Sequence, residues 1–378
     1  MQIRDFFSLQ DAVNLSRPTA FSTLVKAVGS ICNLSCRYCY YLDKASSLYG
    51  GREPIMSYDI LEEYIKQYIE ANEVDTVTFC WHGGEPLLAG LDFYKKAMSL
   101  QKKYALGKTI ENTLQTNGLL VDEAWCEFFA ENSFLIGLSL DGPREVHDAY
   151  RLSRGGEPSF DKVFGAALLF SRMGVEFNTL SVVSKASEGR GLEIYKFLRD
   201  EAGSRYMQFL PASGRGAHWS VSAEGYGRFL CDIFDLWRKK DLGKVFVQLF
   251  ETTLALWAGY PPGVCSMTET CGDALVVEHN GDVYCCDRFV APGSYLGNIL
   301  ETPLRELYEK PERLDFGLSK RNTLPEECIA CKFYKVCHGE CPEHRHSGPR
   351  NVLCQGLKMF FAHSYPWMQT YIKNELKQ

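Results

Sequence analysis

Between residues 23 and 210 the chain alternates two hydrophobic patterns. Short runs rich in β-branched, aromatic and aliphatic residues read as strands: TLVKAV (23–28), TVTFCW (76–81), ENTLQT (111–116), FLIGLSL (134–140), VEFNTLSVV (175–183) and YMQFL (206–210). ENTLQT is the least apolar of them. Between them lie segments such as YDILEEYIKQYIE (58–70) and FDKVFGAALLFSRM (160–173), whose apolar residues recur at helical spacing. Several strands end on turn formers: Gly83-Gly84, Asn117-Gly118 and Asp141-Gly142-Pro143. About six such strand–helix units predict an α/β fold with a parallel sheet covered by helices, either a β/α barrel, partial or full, or a doubly wound sheet. In a barrel the active site lies at the C-terminal strand ends, where the notable polar residues fall.

Residues 222–260 carry a helical pattern with a Trp- and Phe-rich apolar face, broken by Gly259-Tyr260-Pro261-Pro262-Gly263. The segment 273–287 reads as two short strands around Asn280-Gly281, a strong hairpin signal. A last helix is expected near 355–377. The divisions that follow are an N-terminal extension (1–22), a β/α unit (23–230), a helical linker (231–264), a cysteine-rich unit (265–354) and a C-terminal helix (355–378).

Composition adds one decisive fact. The chain of 378 residues is ordinary in its apolar (46%) and charged (23%) fractions, but it holds 15 cysteines, nine of them between 265 and 354. The N-terminus, with Arg4, Asp5 and Asp11, does not read as an export signal. No run approaches the ~18 apolar residues of a membrane span. The expectation is a cytoplasmic protein with no membrane partner, in which clustered cysteines bind metal or do redox chemistry. A net charge of −6 gives no general attraction to nucleic acid.

Cys32, Cys36 and Cys39 form C-x3-C-x2-C just after the first strand. Three thiolates in one loop suit a 4Fe–4S cluster with one iron left open; the other reading is a zinc site short of a fourth ligand. In the C-terminal run, Cys265, Cys271 and Cys286 precede Cys328, Cys331, Cys337, Cys341 and Cys354. Eight thiolates make two sets of four, and spacing alone leaves zinc and iron–sulfur equally open. Cys80, Cys126, Cys231 and Cys285 are left over in apolar surroundings and are assigned no chemistry.

The triad, with Tyr38 before its third cysteine, and Gly83-Gly84-Glu85-Pro86 after the second strand resemble the radical S-adenosylmethionine enzymes. The resemblance implies a partial (β/α)6 TIM-like barrel and a cluster whose open iron binds S-adenosylmethionine. Reductive cleavage then gives a 5′-deoxyadenosyl radical. It implies cofactor contacts from Tyr38, Gly83, Gly84 and Glu85, the Glu85 carboxylate pairing with the methionine ammonium. Ser139, Arg151, Gln115 and Asn117 join this set, Arg151 as a partner for the methionine carboxylate. The C-terminal run is similar to the SPASM extension of these enzymes. That likeness implies two auxiliary 4Fe–4S clusters, one on Cys265, Cys271, Cys286 and Cys341 and the other on Cys328, Cys331, Cys337 and Cys354. Because side chains of a strand alternate faces, only one of Cys285 and Cys286 points to a cluster, and the spacing from Gly281 selects Cys286.

Stretches such as CNLSCRYCYY, WHGGEPLLAGLDFY, LQTNGLLVDEAWCEFF and CKFYKVCHGECPEHR resemble the anaerobic sulfatase-maturating enzymes. The implied activity is oxidation of a cysteine or serine in a sulfatase motif C/S-x-P/A-x-R to 3-oxoalanine (Cα-formylglycine), without oxygen. Asp287 falls at the position of the base that removes the thiol or hydroxyl proton. The implied partners are an unfolded or nascent sulfatase and a low-potential electron donor such as ferredoxin or flavodoxin. Two other readings stand beside it. One is a different SPASM peptide maturase, forming a thioether cross-link or a peptide-derived cofactor. The other is a non-enzymatic zinc or iron–sulfur binding module.

Overall fold

The computed structural model describes residues 19–42, 44 and 55–376. Most of the expected N-terminal extension and the last two residues lie outside them. The six anticipated strands form, with shifted ends: β1 (Ser22–Lys26), β2 (Thr76–His82), β3 (Thr109–Thr116), β4 (Leu135–Leu138), β5 (Phe177–Val183) and β6 (Tyr206–Pro211). Each pairs in parallel with the next, and a two-residue β7 (Phe246–Val247) extends the far edge. The helices between them include α1 (Tyr58–Ala71), α2 (Leu91–Tyr104), α3 (Glu123–Glu131), α4 (Phe160–Met173) and α5 (Gly191–Lys196). The region 222–260 divides into α6 (Ala223–Lys240) and α7 (Gln248–Ala258) around β7.

The hairpin forms as β8 (Ala274–Glu278) and β9 (Asp282–Tyr284), followed by β10 (Tyr295–Asn298), which the pattern did not reveal. This trio joins the barrel sheet: β8 runs parallel to β1, with Lys26 in register with Glu278. The result is one ten-stranded sheet in the order β10-β9-β8-β1-β2-β3-β4-β5-β6-β7. It is an α/β architecture with a partial β/α barrel that does not close on itself. α8 (Pro311–Asn322) and α9 (Cys354–Tyr371) complete the cysteine-rich part.

Burial alternates along the parallel strands. On β2, Val77, Phe79 and Trp81 are buried under the helices, while Thr78, Cys80 and His82 face the other way and are only half-buried. The helix side is an aromatic layer: Tyr64 and Tyr68 of α1, Phe79 and Trp81 of β2 and Tyr94 of α2 meet edge-to-face or stacked, with ring centroids 5.0–6.4 Å apart. Such pairs add about 0.5–1.5 kcal/mol each beyond area burial. The polarity of β3 is explained here. Asn112 is buried among the helices, where its Oδ1 accepts from Trp81 Nε1 at 2.8 Å and from Gln101 Nε2 at 2.9 Å. The opposite, concave face carries His82, Gln115 and Asn178, with Leu180 beside Asn178.

α9 crosses α6 with no room for side chains. A Cβ on Gly356 would lie 2.0 Å from the Ala223 carbonyl oxygen, and one on Gly227 would lie 2.8 Å from Gly356 Cα. This contact places Cys354 at the start of α9 against the rest of the fold. Gly356→Ala is expected to cost at least the ~1–3 kcal/mol of overpacking. A lower urea midpoint at unchanged slope would register it, and an unchanged midpoint would refute the close crossing.

Candidate active site and metal centres

Cys32, Cys36 and Cys39 lie on the loop after β1. The loop is pinned on two sides. Ser35 and Arg37 donate backbone N–H bonds to the Leu152 and Tyr150 carbonyls (2.8 and 3.1 Å), while Gly84 and Glu85 donate to the Gly29 and Ile31 carbonyls (both 2.8 Å). The second set requires glycine: a Cβ on Gly84 would sit 2.1 Å from the Ile31 oxygen. Gly83 has φ +147°, a conformation suited to glycine. The three thiols are close enough to perturb one another, and burial pushes Cys32 up to about 11 and Cys36 up to about 12.

Glu85 also braces the fold. It is fully buried, and both carboxylate oxygens accept hydrogen bonds from the protein. Oε1 accepts from Thr116 Oγ1 (2.7 Å) and Leu87 N (3.0 Å), and Oε2 accepts from Asn117 N (2.8 Å). It ties the ends of β2 and β3 together. Asn117 in turn donates to Asn33 Oδ1 at 2.7 Å, with the same nitrogen 3.6 Å from Cys32 Sγ. Arg151 is buried and already paired, its Nε 3.0 Å from Asp141 Oδ2. The Tyr38 hydroxyl donates to the same carboxylate, and the guanidinium stands 5.5 Å over the Tyr38 ring. Asp141 therefore takes up at least part of the Arg151 charge that was assigned to the methionine carboxylate. Ser139 is buried just beyond β4, its amide bonded to the Thr116 carbonyl at 2.9 Å. Gln115 hydrogen-bonds His82 on the concave face.

Asp287 joins this constellation from the far half of the chain. Its Oδ2 accepts from the Tyr40 hydroxyl at 2.5 Å. Burial alone would raise its pKa, but Lys26, Arg288 and the hydrogen bond from Tyr40 outweigh that, so the carboxylate stays below its usual range and ionised. Lys26 is completely buried, with Nζ 3.1 Å from His82 Nδ1 and 4.2 Å over the Tyr41 ring. Burial, and then the Lys26 charge, lower the pKa of His82 and keep it neutral. Tyr41 donates to the buried Glu278, and the Arg288 guanidinium lies 3.9 Å over the Tyr40 ring. Sequence reasoning singled out Asp287 but missed Lys26, His82, Glu278 and Arg288, and it left Tyr40 without a role. Lys26 inside an otherwise apolar strand was the available signal.

Cys328, Cys331, Cys337 and Cys354 line one cavity with Phe333, Leu357 and Phe361. Cys265 and Cys271 are close enough to perturb each other and Cys286. Cys341 shares the neighbourhood of Lys320 with Cys265 and Cys271. Cys285 points into the hydrophobic core while Cys286 stands beside Asp287, Sγ to Oδ1 3.7 Å. Among the described residues no three His, Cys, Asp or Glu side chains are gathered tightly enough for a single ion. As donors, three thiols on one loop and two sets of four fit iron–sulfur clusters.

Residues 27–198 match the radical SAM superfamily and residues 265–332 match the iron–sulfur cluster-binding SPASM domain. Fold and site thus define a radical S-adenosylmethionine enzyme with a SPASM extension. The chain is 45% identical to the serine-type anaerobic sulfatase-maturating enzyme of Bacteroides thetaiotaomicron, covering 93% of this chain and 91% of that one. It is 36% identical to the cysteine-type enzyme of Clostridium perfringens, over 91% and 96%. The structure of native anSMEcpe with bound AdoMet and Kp18Cys peptide superimposes with a TM-score of 0.87 at 34% identity, over 94% of this chain and 100% of that one. The chain belongs to the anaerobic sulfatase-maturating enzymes, radical S-adenosylmethionine oxidoreductases that convert a sulfatase side chain to formylglycine. Its cofactors are S-adenosylmethionine, the 4Fe–4S cluster that binds it, and auxiliary clusters. Among the described residues no helix is long and apolar enough to cross a membrane.

Glu85 supplies a pH test. Burial pushes its pKa up to about 7 from an ordinary 4.5, against the three hydrogen bonds. The unfolded chain therefore releases this proton first as pH rises. Stability is expected to fall between about pH 4.5 and 7, by up to about 3 kcal/mol, and to level off above. In Glu85→Gln this segment of the slope should vanish, while the misplaced amide N–H costs about 1–3 kcal/mol. Denaturant titrations at several pH values would read both effects.

Proposed function

We propose that the enzyme oxidises serine, and cysteine as well, in a C/S-x-P/A-x-R segment of an unfolded or nascent sulfatase, with Asp287 as the base. The observation that carries this reading is the 2.5 Å hydrogen bond from Tyr40 to Asp287. It joins the loop of Cys39 to the residue that follows Cys286. Cys32, Cys36 and Cys39 would hold the cluster that binds S-adenosylmethionine. Cys265, Cys271, Cys286 and Cys341 would hold one auxiliary cluster, and Cys328, Cys331, Cys337 and Cys354 the other. When bound, these groups supply electron transfer and a 5′-deoxyadenosyl radical that takes a hydrogen from the substrate β-carbon.

The protein's own residues handle the proton. Asp287, kept ionised by Lys26 and Arg288, accepts it from the substrate hydroxyl or thiol. Tyr40 fixes the carboxylate by donating to Oδ2 and leaves Oδ1 beside Cys286 Sγ. The buried Tyr40 phenol stays protonated, since burial and then Asp287 raise its pKa well above the ordinary value. Gly83 and Gly84 permit the close backbone approach, Glu85 and Asn117 brace the loop of Cys32, and Tyr38 and Arg151 are held ready by Asp141. Ser139 and Gln115 line the same concave face. Serine turnover is supported by the 45% identity to a serine-type enzyme against 36% to a cysteine-type one. A cytoplasmic location and a ferredoxin- or flavodoxin-like donor suit the low-potential chemistry. The chain divides into a β/α unit at 23–230, a linker at 231–264 and a cysteine-rich unit at 265–354, followed by the segment 355–378.

The test uses anaerobically reconstituted enzyme, S-adenosylmethionine, a low-potential reductant and peptides bearing S-x-A-x-R or C-x-P-x-R, read by mass spectrometry. Both peptides are expected to become aldehydes, the serine one by loss of two hydrogens, alongside 5′-deoxyadenosine. Asp287→Asn should slow aldehyde formation on the order of 10²–10⁴-fold while 5′-deoxyadenosine is still produced. An unaltered rate in that variant would remove Asp287 as the base, and an unreacted serine peptide would restrict the enzyme to cysteine.

A further inference from the structure

Two cations sit among the C-terminal thiols, and the mechanism above uses neither. Lys320 of α8 is 1% exposed. Its Nζ donates to three backbone carbonyls of one loop: Cys265 at 2.9 Å, Ser266 at 2.8 Å and Thr268 at 2.5 Å. Burial lowers its pKa, yet a neutral amine has two N–H bonds and three acceptors need three. The geometry therefore requires the ammonium. Cys265, Cys271 and Cys341 all lie near enough to act on that charge.

Arg345 is the second cation. Its Nη1 donates to the Lys320 carbonyl at 2.7 Å, which couples the two residues. It stands between the cysteine sets, acted on by Cys328 of one and by Cys271 and Cys341 of the other. Its Nε is buried and has no hydrogen-bond partner among the described residues. Such a buried donor is costly to leave unsatisfied, unless a sulfur of a bound cluster accepts from it. The nearby carboxylate, Glu340, is hydrogen-bonded to His344 and Asn351, both at 2.6 Å, and acts on both cations as well.

Cluster potentials follow net charge, hydrogen bonds to sulfur and exposure. We propose that Lys320 and Arg345 are positioning residues that raise the reduction potential of the auxiliary cluster on Cys265, Cys271, Cys286 and Cys341, with Arg345 as an N–H donor between the two clusters. This rests on the ligand sets proposed above. The cluster next to Asp287 is thereby made the better acceptor for the single electron that leaves the substrate once hydrogen and proton are gone. Loss of that electron oxidises the substrate by one electron and reduces the cluster by one.

The test is a potentiometric titration of reconstituted full-length enzyme, followed by electron paramagnetic resonance, with iron counted per chain. Lys320→Met and Arg345→Gln are expected to keep their iron while one auxiliary signal moves to lower potential. Its reduced-to-oxidised ratio at fixed poise should fall about tenfold, ~59 mV for a one-electron couple. Lys320→Arg should restore most of the shift. Unmoved signals in both variants at full iron would overturn the proposal. So would loss of iron in both at wild-type helix content, which would make the cations builders of the loop only. Cys271→Ala serves as the control. Loss of one cluster's iron supports the ligand set, and full iron would refute that set and the proposal with it.

Discussion

β1 is hydrogen-bonded along both edges, to β2 on one side and to β8 on the other. That double pairing is what makes one active site from two distant stretches of chain. In register at its last residue, Lys26 has His82 on one side and Glu278 on the other. A fully buried ammonium is costly unless it is partnered. Here its surroundings are drawn from both halves: His82 from β2, the Tyr40 and Tyr41 rings from the cysteine loop, and Glu278 and Asp287 from the hairpin region. The charge is tolerable only when all these parts are assembled, so the same interaction that closes the fold also completes the site.

The thiols obey the same electrostatics. Burial pushes Cys32 up to about 11, and Cys36 and Cys337 up to about 12. Without metal the folded protein keeps them as neutral S–H groups, and crowding three or four sulfurs together costs little in repulsion. Iron displaces those protons, so cluster assembly is coupled to proton release. The glycines of the loop after β2 serve this centre indirectly. They let two backbone N–H groups reach the cysteine loop and hold it in shape.

Much of this was legible in the sequence because it is local. The thiol spacings, the Gly-Gly-Glu-Pro turn and the Asn280-Gly281 hairpin each lie within a short window and have few alternative uses. β3 was the weakest strand to read because Asn112 looks like a surface residue until Trp81 and Gln101 are seen to satisfy it. Tyr40 and Asp287 are 247 positions apart, and Lys320 and Cys265 are 55 apart. No periodicity encodes such meetings. The bracing task of Glu85 was not legible, because the Thr116 and Asn117 donors that meet its carboxylate come from a different strand end. Gly356 lies within the expected last helix, and only the partner helix reveals why a methyl group cannot fit there.

The continuous sheet also imposes an order of events during synthesis. β1 finds β2 about fifty residues later, but its other edge waits for β8, some 250 residues further along the chain. At ~5–20 residues per second on the ribosome, that edge stands open for roughly ten to fifty seconds. An open apolar strand invites pairing with a neighbouring nascent chain, and lysine is a residue type that blunts such edges. Lys26 thus has an earlier life than its place in the finished site. While the edge is exposed it keeps its charge in water and discourages the wrong strand, and it is buried only when the right one arrives.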